Sequence, residues 1–215
     1  MGKIFAIGDI HGCNSKLDTL MEKLHINAKE DTLVFVGDYV DRGPDSKGVV
    51  DSILEIKKTA DNVICLKGNH ELMFLNYYCE RRDEELFMHN GGLRTLISYG
   101  FMREGRAENL IVPESHMQFF STLQLYYETD HYIFVHAGLR PGIPLEQQTM
   151  DDLFWIRYDF INSPYDFGKT VIFGHTPISY TAPHIEKNKI GIDTGAVFGG
   201  KLTCLELPEM ILHQV

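Results

Sequence analysis

Apolar residues in this chain fall into short runs that stop at polar, glycine-containing loops, and the runs alternate with stretches of helical periodicity. Lys3 to Ile7 runs into Gly8-Asp9-Ile10-His11-Gly12, Thr32 to Val36 into Gly37-Asp38-Tyr39-Val40-Asp41-Arg42-Gly43, and Val63 to Lys67 into Gly68-Asn69-His70-Glu71. Runs of this length predict strands, and a helical pattern follows each loop. The first helix is the clearest. Leu17, Leu20, Met21 and Leu24 follow i, i+3, i+4, i+7, and Ser15-x-x-Asp18 at its start fits a capping box. The second carries Val49, Val50, Ile53 and Leu54 on one face. Strands alternating with helices in this way predict βαβ units with a largely parallel inner edge. Neighbouring strands then present their loops on one side of the sheet, where open α/β sheets bind their ligands.

From about Leu72 to Gln124 strand alternation is lacking, and Gly91-Gly92 and Gly100 punctuate a tract that reads as helical. Strands are predicted again at Tyr132 to Val135, Thr170 to Phe173, Ile190 to Asp193, Leu202 to Leu207 and Met210 to Gln214. Three of them also end in polar loops: His136-Ala137-Gly138, Gly174-His175-Thr176 and Asp193-Thr194-Gly195. The economical reading is α/β, one sandwich over residues 1–215 with a helical insert at about 72–124.

Composition narrows the function classes. With 44% hydrophobic and 23% charged residues in 215, the profile is that of a soluble globular chain. Lys and Arg number 20 against 30 Asp and Glu, a net charge of −10, which argues against nucleic acid or anionic membrane as a partner. No apolar run approaches the ~18 residues of a membrane span. The four cysteines form no C-x-x-C pair, which fits reduced thiols in a cytoplasmic protein.

Six residues at predicted strand ends share one chemistry: Asp9, His11, Asp38, Asn69, His136 and His175. All offer oxygen or imidazole nitrogen, and none offers sulfur. That donor set suits Mn, Fe or Zn better than Cu(I) or an iron–sulfur cluster. Asp9 and His11 lie two apart in one loop, and a carboxylate such as Asp38 can bridge two ions. Each loop alone is an ordinary turn. Five of them in order, each directly after an apolar strand, make a site.

Together these loops resemble the signature of the phosphoprotein phosphatase (PPP) branch of the calcineurin-like metallophosphoesterases, in its bacterial form, from Lys3 to about Leu207. The resemblance implies a two-sheet β-sandwich flanked by helices, with a dinuclear metal centre at the strand ends. By resemblance, Asp9, His11 and Asp38 hold one divalent ion, and Asp38, Asn69, His136 and His175 hold a second. Manganese is expected first, then iron or zinc. The resemblance also makes His70 and Asp41 an acid pair and Arg42 and Arg157 phosphate ligands, with Asn69 beside the substrate.

The chemistry is coherent. Two cations ~4 Å apart neutralise a phosphate ester dianion and let a bridging water act as hydroxide at neutral pH. A serine alkoxide leaving group needs a proton. His70, adjacent to Asn69, could supply it, with Asp41 favouring the charged imidazole. Bidentate guanidinium recognition of phosphate suits Arg42 and Arg157. The expected function is a metal-dependent serine/threonine protein phosphatase acting on a phosphorylated protein or peptide. The alternatives are a symmetrical dinucleoside tetraphosphate hydrolase and a non-catalytic phosphoprotein-binding module. Symmetrical tetraphosphatases commonly carry a small residue where Asp41 stands, so Asp41 predicts that phosphoserine peptides are preferred to dinucleotides.

Leu72 replaces the Arg usual in eukaryotic relatives, and the chain ends soon after its last predicted strand, so no regulatory subunit is implied. His25, His116, His131 and His213 are isolated and read as surface or packing residues; His89 and His184 stay unassigned. Asp166-Phe167-Gly168 and Gly168-Lys169-Thr170 mimic kinase and P-loop signatures but lack the companion motifs.

Overall fold

The computed structural model describes residues 2–103, 106–107 and 110–215, with the backbone alone at 102–103 and 106–107. Two mixed five-stranded sheets pack face to face. The strands are β1 (Ile4–Ile7), β2 (Thr32–Phe35), β3 (Asn62–Cys65), β4 (Met102–Arg103), β5 (Arg106–Ala107), β6 (Tyr126–Glu128), β7 (Tyr132–Val135), β8 (Thr170–Phe173), β9 (His184–Ile185), β10 (Lys189–Gly191), β11 (Thr203–Leu207) and β12 (Ile211–Gln214). One sheet has the order β12-β11-β1-β2-β3 and the other β6-β7-β8-β10-β9, with β4 and β5 forming a small hairpin apart. In each sheet the three strands β1, β2, β3 or β7, β8, β10 run parallel, and antiparallel strands close the edges.

Side-chain alternation explains the layers. Ala6, Val34, Phe134, Ile172 and Leu205 point inward between the sheets. Their neighbours Phe5, Ile7, Leu33 and Phe35 face outward on the first sheet, under helices α1 (Asn14–Lys23) and α2 (Ser46–Thr59). On the second sheet Ile133, Val135, Val171 and Phe173 meet the short helices that follow β7. Strands covered on both faces read as unbroken apolar runs, which is why they are legible without a period of two. Each buried aliphatic side chain contributes ~1.5–3 kcal/mol, so both faces matter.

Between β3 and β6 come helices α3 (Asn69–Glu80), α4 (Glu84–His89), α5 (Gly92–Ser98) and α6 (Glu114–Ser121). The tract expected to be wholly helical therefore also holds the β4–β5 hairpin. Helices α7 (Met150–Trp155) and α8 (Tyr158–Ile161) follow β7. The expected capping box at Ser15 and Asp18 does not form. The helix starts at Asn14 behind Cys13, which supplies no side-chain cap, and Asp18 instead accepts hydrogen bonds from Asn14 and from Ser52 of α2. At α2, Asp45 caps, accepting the Gly48 N–H at 2.8 Å. Among the described residues no helix is long and apolar enough to cross a membrane.

Lys189 is a buried cation on β10, with only 1% of its surface exposed. Its Nζ donates to the carbonyls of Phe160, Ile161 and Ser163, closing the end of α8. Burial pulls its ammonium below the ordinary lysine range. The unfolded chain therefore binds that proton more tightly, and stability from this group rises with pH through the lowered value toward 10.5. Lys189→Met, which removes the donor these carbonyls share, is expected to destabilise by ~1–3 kcal/mol in denaturant titrations. The gap to wild type should widen between pH 7 and pH 9.5.

Candidate active site

The six parallel strands all end on one side of the sandwich, and every predicted site residue lies in or near the loops they enter, except Arg157. The loops lock to one another through the backbone. Ile10 and His11 donate to the carbonyl of Asp38, at 3.1 and 2.8 Å, and Gly12 donates to that of Tyr39 at 2.8 Å. Glu71 secures the second loop. Its buried carboxylate accepts the N–H groups of Asp38, Tyr39, Val40 and Gly68. Five of the eight non-glycine residues with positive φ among those described are His11, Asp38, Asp41, Arg42 and His175. Left-handed backbone is unfavourable at such residues and persists where the surroundings enforce it, as at binding and catalytic sites.

Asp38 sits at the centre. Its Oδ2 lies 3.3 Å from His11 Nε2 and 4.0 Å from His70 Nε2, while Oδ1 lies 3.4 Å from His136 Nε2. Burial pushes its carboxyl up, but the imidazoles of His136, His70 and His11 outweigh that and hold it well below the usual carboxylate range. Among the described residues two clusters could hold a metal ion, His11–Asp38–His70 and Asp38–His136–His175, and they share Asp38. Asn69 Oδ1 stands 3.0 Å from His136 Nε2 and 3.1 Å from His175 Nδ1.

The donors are oriented for cations. His11 Nδ1 donates to the Val40 carbonyl at 2.7 Å and His136 Nδ1 to that of Val36 at 3.0 Å, so each turns an Nε2 lone pair inward. Asp9 Oδ1 and His175 Nε2 are buried with no hydrogen-bond partner, although Asp9 Oδ2 accepts the His175 N–H at 2.8 Å. Buried polar atoms rarely stay unpaired, and these two belong to the expected ligand set. Burial, with Asp193 and Asp38 nearby, drives the Asp9 carboxyl well above its ordinary value. A buried cluster of carboxylates without enough compensating charge fits divalent cations. Gly174 makes room for it, since a Cβ there would strike Asp9 Oδ1.

His70 Nδ1 and Asp41 Oδ2 are 2.6 Å apart, so the expected pair forms. Burial acts against the charged imidazole expected there. Burial pushes His70 well below the ordinary histidine range and Asp41 up to about 7. Desolvation disfavours the charged form of each partner, so burial favours a neutral imidazole at His70. Thr95 supports Asp41, donating to Oδ1 at 2.6 Å and accepting the Asp41 N–H at 2.8 Å.

Arg42 Nη1 lies 2.5 Å from His11 Nε2, and its backbone N–H donates to Gly91 O at 3.3 Å. Gly91 has φ 95°, and a Cβ there would crowd Arg42, so the Asn90–Gly100 tract holds the arginine turn through Gly91 and the acid pair through Thr95. Arg157 is exposed at the rim, with Nη1 near His175 O and Thr176 Oγ1. His89 is exposed at the end of α4, and His184 pairs with Glu186, so neither joins the site. His116 is buried between Tyr99 and Asp51 as a packing residue. Glu71, Thr95 and Asp193 are supporting residues without an assigned role in the sequence; only the placement of each in a punctuated motif could have drawn notice.

The family model described as calcineurin-like phosphoesterase matches residues 2–200. A curated relative, the asymmetrical bis(5'-nucleosyl)-tetraphosphatase PrpE of Bacillus cereus, is 30% identical over 228 residues, covering 95% of this chain and 90% of its own length. A solved structure provisionally named a diadenosine tetraphosphatase superposes with a TM-score of 0.77 at 24% identity, covering 100% of this chain and 93% of the other. A Saccharomyces cerevisiae protein serine/threonine phosphatase with similarity to human PP5 gives 0.63 at 15% identity, covering 99% and 79%. At these identities the two structures speak for the fold alone.

Proposed function

The chain belongs to the calcineurin-like phosphoesterase family, and from that premise we propose that it hydrolyses dinucleoside polyphosphates, cutting a tetraphosphate asymmetrically. The observation that carries this reading is the end-to-end match to a relative named for that reaction, over 95% of this chain and 90% of the relative. It displaces the expected phosphoprotein substrate from first place and replaces symmetrical with asymmetrical cleavage in the alternative.

In this reading Asp9, His11 and Asp38 hold one divalent cation and Asp38, Asn69, His136 and His175 the other, with manganese first and iron or zinc next. The cations, when bound, neutralise phosphate charge and acidify water. The rest falls to the chain. Arg42 donates to His11 Nε2; with that nitrogen holding a cation, its guanidinium would be free for phosphate oxygens. Arg157 meets the polyphosphate from the rim. In its neutral form the His70–Asp41 pair releases the Nε2 proton to the leaving oxygen while Asp41 passes its own proton to Nδ1, leaving an imidazole that donates to a carboxylate.

That pair is also the one observation favouring a second reading, hydrolysis of phosphoserine or phosphothreonine, because alkoxides need a proton more than polyphosphate oxygens do. Comparing kcat/KM for diadenosine tetraphosphate and an aromatic-free phosphoserine peptide, with products identified, decides between them.

A further inference from the structure

We propose that Phe198 and Tyr180 form a stacking platform for one nucleobase of the substrate, next to the phosphate arginine Arg42; the inference rests on the dinucleotide reading of the same site. Phe198 is 52% exposed and Tyr180 50% exposed, and their ring centroids lie 6.2 Å apart. Both rings are half in water beside the phosphate arginine, so their faces are open to a ligand.

The platform is held firmly. Phe198 ends a short 3-10 turn, Ala196–Phe198. Lys16 Nζ reaches across from α1 to the carbonyls of Ala196 and Gly200, at 2.9 and 2.5 Å. Within the turn, Phe198 and Gly200 donate to Gly195 O at 2.9 and 3.0 Å, and Thr194 Oγ1 donates to Lys201 O at 2.7 Å. Gly195 sits at φ 66°, and a Cβ there would run into the Tyr180 ring, so the loop leaves room for that ring.

The platform is also continuous with the phosphate site. Arg42 Cζ lies 5.4 Å from the Phe198 ring centroid, and the same guanidinium reaches His11. Flat ring, cation and metal-ligating histidine thus follow one another, as base, phosphate and scissile bond do in a nucleotide. A phosphoserine or phosphothreonine peptide offers nothing aromatic at a fixed distance from its phosphate. Stacking on an aromatic side chain is tolerant of base identity, so the platform would accept adenine and guanine alike.

The test separates this site from the reaction. Binding of AMP and of ribose 5-phosphate to the manganese-loaded protein is measured by calorimetry. Wild type should bind AMP more tightly by roughly 5- to 150-fold, the worth of one stacked base. Phe198→Ala and Phe198→Leu should both abolish that difference, and Phe198→Trp should keep it. For diadenosine tetraphosphate, Phe198→Leu should raise KM by a similar factor with kcat within about twofold. Equal binding of the two ligands by wild type, or a variant that loses kcat and ribose 5-phosphate affinity together, would overturn the platform. Failure of the dinucleotide reading looks different: phosphopeptide turnover without dinucleotide turnover, while the AMP comparison still decides the platform.

Discussion

Asp38→Asn should lower turnover by ~10³-fold or more and leave a folded protein that no longer holds two divalent ions per chain. The argument is geometric. Asp38 is the one carboxylate common to both donor clusters, with Oδ2 toward His11 and Oδ1 toward His136. An amide of the same shape keeps the oxygen that accepts the His70 N–H at 3.2 Å, so the fold loses little. It loses the charge and one of the two donor oxygens. Cations contribute several kcal/mol to phosphoryl transfer, and every 1.36 kcal/mol is tenfold in rate. Elemental analysis and manganese titration of the variant beside wild type check the claim. Full wild-type activity after exhaustive chelation, with metal removal verified, would contradict it.

His70→Asn has the second large effect, and its size should depend on the leaving group. On a phosphoserine peptide the loss of a positioned proton donor is expected to cost ~10²–10⁴-fold in kcat. On diadenosine tetraphosphate, whose leaving oxygen is already a weak base, the loss should be clearly smaller. The contact that makes His70 a donor is its hydrogen bond to Asp41, with the Nε2 side facing Asp38 at 4.0 Å. Parallel kinetics on the two substrates, with metal content checked, measure the ratio. Equal losses on both would show that His70 positions a ligand rather than delivering a proton.

The sequence carried the framework because the framework is built from buried strands. β7 and β8 lie at Tyr132–Val135 and Thr170–Phe173, as their apolar runs predict, and the first three strands agree to within two residues at their ends. The strands missed, β4, β5, β6 and β9, have two or three residues each, too few to show a period. The six-residue donor set was legible because a loop at the end of a parallel strand has few places to point. Other features depend on tertiary structure. Thr95 touches Asp41 across 54 positions, and Glu71 braces a loop more than 30 residues away. Burial works against the expected charge on His70, and nothing adjacent in the sequence reports how deeply an imidazole will sit. Substrate class was the hardest to read. Asp41 suggested an alkoxide leaving group, but one carboxylate beside a histidine says what the site can protonate and not which phosphate enters it.

The most direct measurement of the central claim is turnover of diadenosine tetraphosphate by the manganese-loaded protein, with products resolved by chromatography and the rate set against that for a phosphoserine peptide. The account predicts a higher kcat/KM for the dinucleotide, one ATP and one AMP from each molecule cut, and no turnover after chelation. A higher kcat/KM for the peptide, or two molecules of ADP as the product, would contradict it.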